Sequence, residues 1–452
     1  MVENTGGHAL VLGGSIAGLL AARVLSDHYA AVTIVERDHL PTAAAQRRGV
    51  PHGHHVHGML PGGLRIIERL LPGFTGEVTS AGGLTGDILA NVRWYLNGLP
   101  LRRTATGLTA LSAGRPLIEG TIRDRVRAIP QIKILDGYDV TGLTASAGGD
   151  RVTGATVAGR DGSDARAIPA DLVVDATGRG SRAPRWLAGL GYAPPPADRV
   201  AIDLAYTSCP VTVPDDLFGD DLIIVTPRFP GLRRSSVMQR LEGGRVLVTL
   251  AGVLGERPPV ANEELPAYAE TLATPDTYQV LRAAKPLGEP VTFRFPAYVR
   301  HRYDHLRRLP AGLLVAGDAT CGFNPVYGQG MSVAAMNAAA LADELARGGE
   351  PDPYRYFQSV AQILEAPWRL AVGADLALPG VTGPALADSP LTPEYLRRLQ
   401  LAGTEDAELA AALVRVTGLV DPPRTLLHPE IVARVERARV DAGAVVRVDA
   451  NL

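Results

Sequence analysis

The chain has 452 residues, 46% of them hydrophobic and 20% charged, with a formal net charge of −2. That length exceeds one simple core and predicts two or three lobes, while the near-neutral balance excludes a basic field able to hold nucleic acid or an acidic membrane. Two cysteines, Cys209 and Cys321, are too few for a disulfide framework and fit no metal spacing, which points to a reducing cytoplasm.

The start of the chain shows no charged and apolar leader, and no stretch of about 18 apolar residues follows, so neither export nor a membrane span is expected. Residues 8–37 read as strand, turn, helix, strand: an apolar run from Ala9 to Leu12, a small-residue turn, a helix to about Ser26, then Val32 to Val35. From Ile88 to Leu96 apolar residues partly alternate, and Asn97-Gly98 offers a tight hairpin turn because both residues tolerate positive φ. The segment from Ala170 to Ser181 reads as a buried strand ending in a Thr-Gly turn. Pro194-Pro195-Pro196 marks a stiff corner between lobes. Strands are expected at 200–208, 221–226, 235–241 and 245–252, the last two joined by Glu242-Gly243-Gly244. Leu313 to Val315 form a further apolar strand. An Ala-rich helix follows from Met331 to Ala346, and the segment after Pro393 is mostly helical with breaks at Gly403, Gly418 and Pro422-Pro423.

Three turns carry the chemistry. Gly13-Gly14-Ser15-Ile16-Ala17-Gly18 stands where the first strand meets its helix and matches G-x-G-x-x-G, except that Ser15 replaces the second glycine. Such a turn aims backbone N–H groups and a helix dipole at a pyrophosphate, and Gly18 lets helix and strand pack closely. Glu36, at the end of the second strand, stands where a carboxylate accepts ribose hydroxyls. Thr177-Gly178 ends the second strand-turn unit. Downstream, Gly317-Asp318-Ala319 follows an apolar strand and precedes Asn324-Pro325-Val326-Tyr327-Gly328-Gln329-Gly330-Met331. A carboxylate at a strand's end binds cofactor hydroxyls, and Gly328 and Gly330 let the next helix present bare N–H groups to an anion such as reduced flavin. Each segment alone is also an ordinary strand and loop; their order and spacing make the case.

These residues resemble the FAD-dependent monooxygenases of the aromatic-hydroxylase fold. Arg47-Arg48-Gly49-Val50-Pro51, His55, His57, Arg115 with Glu119 and Arg123, the ATGRGS string, the Arg302-Tyr303-Asp304 region and GDATCGFNPVYGQGMS look most like the olefin epoxidases of polyether-ionophore biosynthesis. The resemblance implies an α/β chain: a Rossmann-type, glutathione-reductase-like FAD-binding domain, an inserted antiparallel-sheet substrate domain and a helical C-terminal region. The expected division is 1–75, 105–190 and 300–350 for FAD, 76–104 and 191–299 for substrate, and 351–452 for the helices.

Carried over by residue, the resemblance assigns Gly13, Ser15 and Gly18 to the pyrophosphate, with Ile16 and Ala17 in the cofactor set, and Glu36 to the adenosine ribose, with Arg37 beside adenine. Arg48 joins the cofactor set, Arg115 meets the ribityl-phosphate region and Val140 offers its backbone to adenine. Thr177, Gly178, Gly317 and Asp318 approach the cofactor. Pro325, Gly328, Gly330 and Met331 border the isoalloxazine, and the backbone at Pro325, Gly328 and Gly330 is the expected catalytic element, with no side-chain acid or base assigned. The aromatic hydroxylases usually carry Asp-Gly where this chain has Thr177-Gly178, which opens the question of how FAD is reduced: by NAD(P)H docking transiently, or by a separate flavin reductase.

The implied reaction inserts one atom of O2 through the C4a-hydroperoxide of reduced FAD, epoxidising an olefin in a polyketide or terpenoid-like natural product. The expected partner is a hydrophobic small molecule, with Tyr206, Val225, Phe229, Met238, Phe293 and Phe295 as candidate walls that core packing explains equally well. An aromatic (phenol) hydroxylase, a flavin-linked double-bond reductase and a flavin-free escort protein share the scaffold. Halogenation is disfavoured: it needs a suitably placed lysine, and Lys133 and Lys285 are the two lysines. His52, His54, His55 and His57 could hold zinc or copper, but no nearby cysteine or paired carboxylate completes a site, so no metal is expected and a polar loop near the flavin is the better reading.

Overall fold

The computed structural model describes residues 7–228 and 232–438. Among them, the strands form a parallel sheet in the order Leu313–Val315, Leu172–Asp175, His8–Leu12, Ala31–Glu36, Ile132–Asp136. Its inner strands are continuous apolar runs because both faces are covered. The helices Ile16–Leu25, Arg115–Arg127 and Gly330–Leu345 lie on one face, and an antiparallel sheet of Tyr138–Ala145, Val152–Gly159 and Arg166–Pro169 lies on the other.

A larger sheet is built on Ala197–Thr212 and Val291–His301, which pair antiparallel, with Arg245–Gly252, Arg234–Leu241 and Ile223–Thr226 following in order. Val92–Leu96 joins this sheet parallel to Ile223–Thr226, and Asn97 (φ 54) with Gly98 (φ 77) turns it into Leu99–Pro100. The expected strand from Ile88 therefore starts four residues later, since Asp87 accepts the backbone N–H groups of Leu89 and Ala90 and folds 88–91 into a turn. The long strand Ala197–Thr212 bends between Ala201 and Leu204, where its register slips and Asp203 takes φ 43.

Side chains alternate between the two faces of this sheet. Cys209, Met238, Val248 and Leu250 pack outward under helices Leu265–Glu270 and Asp276–Ala283. Tyr206, Ser208, Thr249 and Phe293 point to the other face, toward the loop 51–58. After the Ala-rich helix comes Pro353–Leu376, a 24-residue helix with Pro367 inside it. The helices Pro393–Ala402, Ala407–Thr417 and Pro429–Arg437 then close over the hairpin end of the large sheet, packing Leu399, Leu409 and Leu413 on Leu89, Val92 and Leu101. Among the described residues no helix is long and apolar enough to cross a membrane.

Candidate cofactor and substrate site

The glycine turns meet in space. Gly13 has φ 102, and a Cβ placed on it would stand 2.5 Å from the Ala176 carbonyl oxygen and 3.2 Å from the Thr177 nitrogen. Only glycine tolerates that backbone and that approach. A Cβ on Gly317 (φ 64) would stand 2.7 Å from the Ala17 side chain, and one on Gly330 would stand 3.9 Å from Asp318 Oδ1. The first, second and third turns thus converge at the C-terminal ends of the parallel strands, and the region between them is the candidate cleft, where sheets of this kind offer bare backbone to a long anionic ligand.

At one end of the cleft, Ser15 is the N-cap of Ile16–Leu25 but does not cap it; its hydroxyl donates to Glu119 (2.8 Å) and accepts from Arg115 (2.8 Å). Glu36 accepts the backbone N–H groups of Gly14 (2.7 Å) and Asp38 (2.9 Å). Arg47 is buried between Glu119 (2.6 Å), Glu36 (3.3 Å) and Asp38 (3.4 Å). Burial disfavours the charged form of Glu119, but Arg115 and Arg47 outweigh it and hold this carboxyl down at about 2. Arg115, Glu119 and Arg123 recur every fourth residue, so all three lie on the face that the helix Arg115–Arg127 turns inward.

Asp175 is the hidden organiser of the second turn. Fully buried, it accepts from the Thr177 backbone (2.9 Å) and hydroxyl (2.6 Å) and from the Ser181 hydroxyl (2.6 Å). Asp318 is half-buried, and among the described residues its carboxylate takes no hydrogen bond; burial raises its carboxyl above the usual range against the pull of Arg179 and Arg115. That leaves its oxygens free for a ligand's hydroxyls. The Pro325–Tyr327 turn is held by Asn324, which accepts the Val326 N–H (3.0 Å), and Gly328 then takes φ 64.

The histidine loop 51–58 faces the large antiparallel sheet. His55 bonds Ser208 (2.7 Å), whose hydroxyl meets Thr249 (2.5 Å), and its ring stands edge-on to Tyr206 with centroids 4.4 Å apart. Phe293 packs on Tyr206, His52 and His55. Burial pushes both His52 and His55 down to about 3, so these imidazoles are neutral. Among the described residues no group of three His, Cys, Asp or Glu side chains is set to hold a metal ion.

The remaining expected residues distribute as follows. Ile16 and Met331 are buried core, Ala17 borders Gly317, and Gly18 is packed so tightly that a Cβ would stand 1.8 Å from the Gly13 oxygen. Arg37 is exposed beside Glu36, and Val140 lies in Tyr138–Ala145 where the register slips. Gly178 has φ 73 with nothing near its Cβ position, and Pro325 is exposed. Arg48 is exposed, whereas its neighbour Arg47 enters the cleft; among paired arginines, the sequence does not mark which one turns inward.

Phe295, under the Arg179 guanidinium at 4.6 Å, and Tyr206 lie on the cleft side of the sheet, and half-buried Val225 packs toward the C-terminal helices. Met238 corrects the expected wall: it points to the opposite face and packs with Leu265 and Tyr268, because strand alternation places it opposite Val237 and Gln239. Phe229 lies outside the described residues.

Asp375 carries no sequence motif, yet it is wholly buried beside the third turn, bonding Asn324 (3.0 Å), Tyr327 (2.8 Å), Tyr298 and Arg228. Its signal was an acid on the apolar face of Leu364, Trp368, Ala371 and Val372 at helical spacing.

No protein-family model matches the chain. It is 35% identical over 357 residues to Protein Rv3254 of Mycobacterium tuberculosis (strain ATCC 25618 / H37Rv), which covers 75% of this chain and 73% of that protein. Among solved structures it is similar to a flavoprotein/dehydrogenase from Cytophaga hutchinsonii, at TM-score 0.66 and 16% identity over 95% of this chain and 96% of the other. It is likewise similar to p-nitrophenol 4-monooxygenase PnpA from Pseudomonas putida DLL-E4, at TM-score 0.62 and 14% identity over 92% and 98%. The flavin-dependent halogenase CmlS aligns at TM-score 0.62 and 19% identity over 91% and 77%. At these identities the likeness shows the fold: a parallel sheet, an antiparallel sheet and C-terminal helices.

Proposed function

This chain belongs to the same family as Protein Rv3254 of Mycobacterium tuberculosis and has the fold of the FAD-dependent monooxygenases, and from that premise we propose that it binds one FAD and inserts an oxygen atom from O2 into an olefin of a hydrophobic natural product. The observation that carries this reading is the meeting of Gly13 with Thr177, Gly317 with Ala17 and Gly330 with Asp318 around one cleft. An extended dinucleotide suits such a cleft: small residues where phosphates need backbone, and free carboxylate oxygens on Asp318 where ribityl hydroxyls would lie.

Residues 13–18 would hold the pyrophosphate, Glu36 the adenosine ribose, Arg115 the ribityl-phosphate region, and the backbone from Pro325 to Gly330 the isoalloxazine. When bound, reduced FAD supplies the activation of O2. The protein's share is to bind, to orient and to keep water out. Tyr206, Phe293 and Phe295 form an aromatic layer on the cleft side of the sheet, beneath the histidine loop and Arg179, that would back an apolar substrate. The N–H groups at Gly328 and Gly330, opening the helix Gly330–Leu345, suit negative charge on the cofactor.

Two observations favour epoxidation within this class. A phenol hydroxylase gains from a group that takes the phenolic proton, and the histidines facing the sheet, pushed down to about 3, are weak bases. Halogenation is disfavoured because Lys133 and Lys285 are both exposed, on strands at sheet margins. Electrons would come from NAD(P)H or from a separate flavin reductase.

The test is turnover under labelled dioxygen, with geraniol as olefin probe and 4-nitrophenol as phenol probe, and with NADPH or a flavin reductase as electron source. One labelled oxygen in an epoxide of geraniol supports the reading. A labelled phenol product, or a product reduced at the double bond without label, contradicts it.

A further inference from the structure

Arg228 follows the strand Ile223–Thr226 on the substrate sheet, and its guanidinium reaches across to the turn that holds Pro325–Tyr327. One edge is fully engaged: Nη2 donates to Asp375 and to the Tyr327 hydroxyl (3.3 Å), and Tyr327 in turn donates to Asp375 (2.8 Å). Asp375 is fixed from two more directions by Asn324 (3.0 Å) and Tyr298. The other edge has no such use. Among the described residues Nη1 of Arg228 has no hydrogen-bond partner, and it is buried in a side chain only 10% exposed.

A buried guanidinium N–H without a partner costs free energy comparable to a lost charge-assisted hydrogen bond, so a ligand acceptor at that point would recover it. The charge balance says what kind of acceptor. Arg228 and Asp375 compensate each other, and burial, Asp375 and their mutual hydrogen bond keep the Tyr298 and Tyr327 phenols neutral by raising them well above the usual value. A carboxylate would bring a second, uncompensated negative charge into this pocket, whereas a ketone, enone or ester carbonyl brings none.

We propose that Arg228, positioned by Asp375 and Tyr327, is a substrate-recognition residue whose Nη1 donates to a neutral carbonyl oxygen of the substrate. The inference rests on the FAD reading above and adds a substrate class to it: the olefin to be oxidised belongs to a molecule that carries a carbonyl group. The same donor chemistry would also suit a carbonyl of the flavin ring, and the test separates the two.

The FAD-loaded, oxidised protein is titrated with 1-tetralone and with 1,2,3,4-tetrahydronaphthalene, which lacks only the carbonyl, following the visible flavin absorption. The ketone is expected to bind about tenfold more tightly, the increment of one hydrogen bond to a charged donor. In Arg228→Lys, which keeps the charge beside Asp375 but not the second edge, the preference falls to near unity while flavin content and flavin affinity stay as in the parent. Should that variant fail to fold, Arg228→Met combined with Asp375→Asn removes both charges together and is expected to lose the preference likewise.

A ketone that binds no better than the hydrocarbon, or does not bind, overturns the inference. So does a loss of flavin affinity in Arg228→Lys, which would assign the donor to the cofactor. A wild-type protein that retains no flavin is a different result: it overturns the FAD reading itself.

Discussion

Gly13 and Ala176, from strands that lie side by side in the parallel sheet, approach so closely that a methyl group on Gly13 would stand 2.5 Å from the Ala176 carbonyl oxygen. Gly13 also holds φ 102, which L-residues avoid. Gly13→Ala is therefore expected to lower stability by about 2 kcal/mol or more and to weaken flavin retention sharply, since the clash pushes the first turn off the second. Flavin content after gel filtration and a denaturant titration check both. Parent-like flavin retention would remove the turn from the cofactor site.

Glu119 joins half-buried Ser15, Arg47 and Arg115, and its side chain is buried with those of the two arginines. Removing it takes the carboxylate partner from buried Arg115 and leaves Arg47 to Glu36 and Asp38 alone. Glu119→Ala is expected to cost about 3 kcal/mol of stability, and Glu119→Gln less, because the amide still accepts hydrogen bonds. The midpoints of urea unfolding compare the variants.

His55 gives the protein an acid-side weakness. Its folded value, about 3, lies below the ordinary 6.5, so the unfolded chain takes up a proton that the folded chain refuses. The stability from neutral, buried His55 is complete above about pH 6.5 and is lost progressively as pH falls toward the folded value. Between pH 6.5 and pH 5 this amounts to about 2 kcal/mol. In His55→Gln, where an amide can still reach Ser208, the decline of stability over that window is expected to be shallower by about one proton's worth of slope. An unchanged slope would show that His55 is not neutral in the folded protein.

The parallel-sheet half of the fold is legible in the sequence because its signals are local. Continuous apolar runs ending in glycine turns announce the parallel strands, and Asn97-Gly98 announces its hairpin. The sheet of 138–169 is not legible: its strands mix Thr, Gly and Ala and half-bury both faces, so no clean alternation marks them. Nor is the choice between Arg47 and Arg48, which depends on where Glu36, Asp38 and Glu119 come together. Met238 looked like a pocket wall because composition does not tell which face of a strand looks inward. Asp375 and Arg228 lie far apart in sequence, and only tertiary packing joins them.

The C-terminal helices carry much of the apolar surface that covers the hairpin end of the large sheet. Leu409 is fully buried between those helices and the segment that includes Leu89, Val92 and Leu101. Leu409→Ala is expected to cost about 3 kcal/mol. Protein that remains folded should keep its parent flavin content, since Leu409 packs in a different core cluster from the strands that lead to Gly13 and Asp318. Flavin loss in the folded variant would instead tie these helices to the cofactor cleft.

The central claim is that turns at Gly13, Thr177 and Asp318 hold one dinucleotide between them. It is tested most directly by measuring the flavin bound by the purified chain after reconstitution with FAD and removal of the excess, releasing it by heat and identifying it by chromatography. One FAD per chain, freed without breaking a covalent bond and largely absent from Gly13→Ala and Asp318→Ala, is the predicted result. A folded chain that keeps no FAD, or that keeps it equally well in both variants, would contradict the account.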